Sequence, residues 1–135
     1  IKIASRGKRI NIDRESIKAD AVKSYVDVTQ LNYEILGLLD AFKDIKKIPD
    51  CSVNQAISRL TVILKSLNEQ QVELLIKYAL KYPPRVRALV GAILESIHYK
   101  GESLEKLKRN LNPLTFFRLG INENELPTKN NWNIE

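Results

Sequence analysis

Cysteine occurs once, at position 51, and histidine once, at position 98. A single thiol cannot close an internal disulfide, and one Cys with one His falls short of the four ligands of a structural zinc site. No metal and no cofactor are therefore expected. No run of 18 apolar residues is present, and no basic stretch leads into an apolar region ending in small residues, so neither a membrane span nor a secretory signal is expected. The expected location is the cytoplasm, with no membrane partner. Methionine is absent and the sequence opens on Ile1, which leads us to expect a fragment that lacks its beginning. What remains is 135 residues, 44% hydrophobic and 28% charged, enough for one compact domain of about 100–200 residues.

The net charge is +6, and its distribution is uneven. Residues 1–20 carry six Lys or Arg against three acids, and residues 83–118 carry seven against three. Such an excess suits phosphate, although a nucleic-acid reader usually clusters its cations more densely.

At the start, Ile1/Ile3 and Ile10/Ile12 alternate around Gly7, which predicts a hairpin over Ile1–Asp13, and Val22, Val26 and Val28 predict a further strand. Residues 1–28 are thus expected to be β-rich. From Thr29 the apolar period lengthens to about 3.6. Ile35, Leu38, Leu39 and Phe42 give a helix ending near Lys46-Lys47. Ser52-Val53-Asn54-Gln55 reads as a capping box that opens a second helix, and Asn68–Gln71 repeats the pattern for a third. Pro83-Pro84 must end that third helix and suit the start of a fourth, with Val86, Leu89, Val90, Ile93 and Leu94 as its stripe. Gly91 inside it is expected to let another backbone approach, and Gly101 to stop it. Ser103–Asn110 gives a short basic helix. Residues 29–111 are therefore read as helical. The remainder, 112–135, is read as a strand or turn over Leu114–Ile121, the strand slightly favoured, plus a tail whose Trp132 folds back onto something apolar. The expected fold class is α+β: a small N-terminal sheet or hairpin followed by a bundle of about five helices, in one domain.

The chain offers little chemistry. Cys51 and His98 make a poor catalytic pair, and Asp40 and Asp44, one turn apart, are flanked by Lys43, Lys46 and Lys47, the pattern of a solvated face. There is no glycine-rich phosphate loop. An enzyme is not expected. Arg85 and Arg87, just after Pro83-Pro84, could form an anion site with the helix-terminal amides, or one could pair at the core rim while the other stays solvated.

Four phrases carry a family resemblance: "IASRGKRINI", "LLDAFKDIKKIPDCSVNQAI", "IKYALKYPPRVRALVGAILE" and "LNPLTFFRLGI" with "LPTKNNWNIE". They resemble those of AbiEi-like antitoxins, the transcription-regulator halves of bacterial abortive-infection toxin–antitoxin pairs that act in phage defence. The resemblance implies an antitoxin in which an N-terminal winged helix, expected to be missing here, reads operator DNA. It also implies a repressor of the shared promoter that counteracts a nucleotidyltransferase-like toxin, with or without direct contact. Arg6, Lys8, Arg9, Lys43, Lys46, Lys47, Arg85 and Arg87 then become candidates for contact with DNA phosphate or with the partner. A homodimer is compatible with a repressor that reads paired half-sites. The alternative is a non-enzymatic helical protein-interaction module with no nucleic-acid role, docking through Tyr82, Pro83, Pro84 and the Trp132 tail.

Overall fold

A computed structural model describes residues 31–109 and 111–135. Helix α1 (Leu31–Lys43) runs into a 3-10 turn at Ile45–Lys47, and α2 (Val53–Lys65), α3 (Glu69–Ala79), α4 (Pro84–Ser96) and α5 (Glu102–Arg109) follow. A coil then leads to a second 3-10 turn, Lys129–Trp132. The expectation of an α+β class is corrected: the described residues are helical and contain no strand. The hairpin Ile1–Asp13 and the run Ala21–Val28 lie outside the described residues.

Local signals place the helix starts. Ser52 accepts from the Gln55 amide while Gln55 returns to the Ser52 amide, and Asn68 and Gln71 do the same for α3. Such boxes satisfy amides that have no partner inside the helix, worth about 1 kcal/mol each. Pro84 opens α4 at the first helical position, where a missing N–H costs nothing. The end of α4 departs from expectation. Its C-cap is Ile97, and the next residue, His98, turns the chain at φ 67, with the Tyr99 amide bonded to Leu94 O and the His98 amide to Glu95 O. These two bonds form a Schellman motif with a histidine where glycine is usual, three residues before Gly101.

Helix α4 is the axis of the fold. Val86 and every residue from Ala88 to Leu94 are buried, because α1, α2, α3 and α5 all pack against it. A helix apolar on all sides is a buried one. The other helices are amphipathic: Ile35, Leu38, Leu39 and Phe42 of α1, Ala56, Ile57, Leu60 and Leu64 of α2, and Val72, Leu75, Ile76 and Ala79 of α3 point inward, as their spacing predicts.

The last side of α4 is closed by the tail. Trp132 is 1% exposed, and its ring lies where a Cβ on residue 91 would sit. Gly91 thus makes room for an indole, not for the backbone its position suggested. Trp132 Nε1 donates to Glu95 Oε1 at 3.0 Å, and Lys108 Nζ stands 4.9 Å from the ring centroid. The strand favoured over Leu114–Ile121 reduces to one isolated parallel bridge, Phe117 with Ile134. Pairing stops there because Gly120, at φ 69, turns the chain, and the Leu119, Gly120 and Ile121 amides converge on Glu135 O at 2.9, 2.9 and 3.3 Å. Asn54, in the first turn of α2, fixes this turn from the other side, donating to Gly120 O and accepting from the Asn122 amide.

Candidate functional site

Of the basic residues singled out in the sequence, Arg6, Lys8 and Arg9 lie outside the described residues. The fold brings four of the others to one place, where α1 ends beside the start of α4. Lys43 closes α1, and Lys46 and Lys47 occupy the 3-10 turn after it. The turn is pinned by Ile45 and Ile48, 0% and 4% exposed, so that the lysines between them stand in solvent. Three cations here also suit the negative end of the α1 dipole.

Arg85 reaches this corner from α4 and donates from Nη2 to Lys43 O at 2.7 Å. It therefore caps α1, satisfying one of the carbonyls left without a partner at a helix end. The partner at the core rim is a main-chain oxygen and not a carboxylate. Beside it, Tyr82 donates its hydroxyl to Asp40 Oδ1 at 2.9 Å. Burial, and then the hydrogen bond to Asp40, raise the Tyr82 pKa. Asp40 is thus the acceptor of a bond from the α3–α4 connection to α1.

Arg87 does not join this face. Two positions along a helix is a rotation of about 200°, so Arg85 and Arg87 leave α4 on opposite sides. The Nε atoms of both are buried without a hydrogen-bond partner. Nor is the start of α4 a cradle of amides: Pro83 and Pro84 have no N–H, and the Val86 amide is bonded to Pro83 O. The basic corner consists of side chains presented to solvent, suited to a phosphate backbone or an acidic surface.

A second feature was invisible in the sequence. Between α3 and α5 lies a groove of about 450 Å³, lined by Gln70, Glu73, Leu74, Ile76, Lys77, Leu80, Ser103 and Lys106. At one end the Glu73 carboxylate accepts from the hydroxyls of Tyr99 and Ser103. These bonds, Ser103's first and then Tyr99's, outweigh the cost of partial burial and lower the Glu73 pKa, with Lys106 adding to the effect. In turn, burial and the bond to Glu73 push the Tyr99 phenol up to about 12. The spacing of Glu73 and Lys77 suggests an ion pair along α3. The fold instead turns Glu73 toward the α4–α5 connection, a long-range choice that no local pattern encodes.

Among the described residues, no group of three or more His, Cys, Asp or Glu side chains gathers as a metal site would require, and no helix is long and apolar enough to cross a membrane. Trp132, expected on a docking surface, is buried in the core, and Tyr82 is half-buried at the α1–α4 corner. Comparison with family models, curated proteins and solved structures returns no match.

Proposed function

We propose that the chain is a non-catalytic antitoxin domain of the AbiEi-like kind, working beside a winged helix that reads operator DNA and counteracting a nucleotidyltransferase-like toxin. One observation carries this reading: three of the phrases that resemble that family meet one another in the fold. The α1 phrase meets the α4 phrase through Asp40 with Tyr82 and Lys43 with Arg85. The α4 phrase meets the tail phrase through Gly91 and Glu95 with Trp132. The tail phrase meets the start of α2 through Gly120 with Asn54. Three of the phrases that carry the resemblance thus pack into one unit, as a single domain of that kind would require. Lys43, Lys46 and Lys47, presented together at one such joint, would add phosphate contacts to those of the winged helix, strengthening binding without reading bases.

Growth tests this reading. The reading frame beside the one encoding this chain is expressed alone, with residues 1–135, and with the whole protein. The expected result is toxicity relieved by co-expression; a harmless neighbour would overturn the assignment. Operator binding by the whole protein should weaken as salt rises, and Lys43→Ala/Lys46→Ala/Lys47→Ala should flatten that salt dependence by up to about 0.9 logarithmic units per lost phosphate contact.

A further inference from the structure

We infer that the turn at Leu119–Ile121 is an anion site that holds the α-carboxylate of Glu135, and that the charge of this group fastens the tail over α4. Three successive amides, those of Leu119, Gly120 and Ile121, point at a single oxygen, Glu135 O, at 2.9, 2.9 and 3.3 Å. A neutral main-chain carbonyl offers two lone pairs, so a third donor is one more than it can satisfy well. In the 135-residue chain this oxygen belongs to the terminal carboxylate, and charge-assisted bonds of that kind are roughly twice as strong as neutral ones. Consecutive amides turned inward around a left-handed residue form a backbone nest, a concavity that selects anions, and Gly120 at φ 69 supplies that residue.

The nest is held in shape from outside. Asn54 donates to Gly120 O and accepts from the Asn122 amide, and Lys129 Nζ donates to Ile121 O at 2.8 Å. The bridge of Phe117 with Ile134 brings the last residue to it, with the Glu135 amide donating to Phe117 O at 2.8 Å. The donors and the acceptor all lie among the described residues. Trp132 stands just upstream, buried against Gly91, so that an anchored Glu135 leaves the indole little freedom to withdraw.

The test compares the 135-residue chain with a semisynthetic form whose terminal carboxyl is a carboxamide, which keeps an oxygen acceptor and removes the charge. The carboxamide form should melt about 5 °C lower, and its Trp132 indole N–H should exchange with solvent deuterium at least about tenfold faster. A chain lengthened by glycine turns the same oxygen into a neutral carbonyl and should lose as much. In the unmodified chain the α-carboxyl, followed by carbon-13 nuclear magnetic resonance, should titrate at least about one unit below its ordinary value of about 3.5. Glu123→Gln removes a negative charge from an exposed position of the same segment and should leave the melting temperature and the indole exchange unchanged. A carboxamide form as stable as the acid, an α-carboxyl that titrates at its ordinary value, or an equal loss from Glu123→Gln would each overturn the proposal. The titration is made on the unmodified chain and so decides the matter even where the carboxamide form fails to fold.

Discussion

At the N-terminal end of α4, two polar contacts reach across to α1: Tyr82 to Asp40 and Arg85 to Lys43 O. In its C-terminal half the same helix receives an indole, with Gly91 clearing the space and Glu95 taking the ring N–H. The first fastening sits at the rim of the core among exposed lysines, and the second lies inside it. The Tyr82–Asp40 and Trp132–Glu95 bonds are both part-buried, and water competes for each. What sets the second apart is the buried ring, whose loss would leave a void in the core. The inner fastening should therefore hold the fold, while the outer one sets the angle at which the basic corner is displayed.

The largest effect expected from that contrast is Trp132→Ala, which should cost about 3–5 kcal/mol, the range for deleting a buried aromatic. Chemical denaturation measures it, and a loss below about 1 kcal/mol would show that the ring is not a core element. Gly91→Ala tests the same contact from the other side. The added methyl gains helix propensity but meets the ring, so a net loss of about 1–3 kcal/mol is expected, as for an overpacked core; a stabilised variant would mean that the tail can shift aside. At the outer fastening, Tyr82→Phe should cost only about 1 kcal/mol, and a cost equal to that of Trp132→Ala would abolish the distinction between the two ends.

Smaller still, and of opposite sign, is His98→Gly. A non-glycine residue in the left-handed region carries a penalty of about 1 kcal/mol, so glycine should raise the melting temperature by a few degrees in a domain of this size. No change would mean that the histidine side chain offsets its own strain.

The pH response sharpens the picture at the α3–α5 side. The Tyr99 pKa is raised from 10.0 to about 12, and that of Tyr82 is raised as well. Their contribution is present in full below pH 10 and is lost as pH rises through the folded values, since the unfolded phenols ionise first. Glu73 works in the other direction. Its folded pKa is lowered from 4.5, so its contribution is present above that value and is lost as pH falls below it. Tyr99→Phe should flatten the alkaline decline in stability measured between pH 9 and 12; an unaltered slope would show that the hydroxyl is not held by Glu73.

What the sequence made legible was local. The capping boxes at Ser52 and Asn68 and the proline pair at 83–84 each act within one turn of chain, and each stands where its pattern predicts. The apolar stripes were legible too, because 3.6-residue spacing commits a face to the interior wherever that interior lies. The partners of Gly91, Glu73 and Asp40 were not, because each is met by a residue distant in sequence. Gly101 is the stronger stop signal by composition, yet α4 ends at Ser96 because the bonds of the Schellman motif form around His98. Branched and aromatic residues favoured a strand at Leu114–Ile121, but a strand needs a neighbour over several residues, and Ile134 supplies a neighbour at Phe117 alone. At the basic corner the residue types were legible and their grouping was not: Arg87 leaves the face that Arg85 shares with the lysines.

The burial of Trp132 against Gly91 also orders events in time. The central helix is synthesised well before the residue that covers its last side, and at about 5–20 residues per second the intervening segment takes seconds to emerge. Until residue 132 leaves the ribosome, α4 has one flank bare, with a glycine at its middle and no ring to fill the notch. A nascent chain in that interval exposes apolar surface that invites chaperones or aggregation, and the docking of the tail is the step that ends this vulnerability.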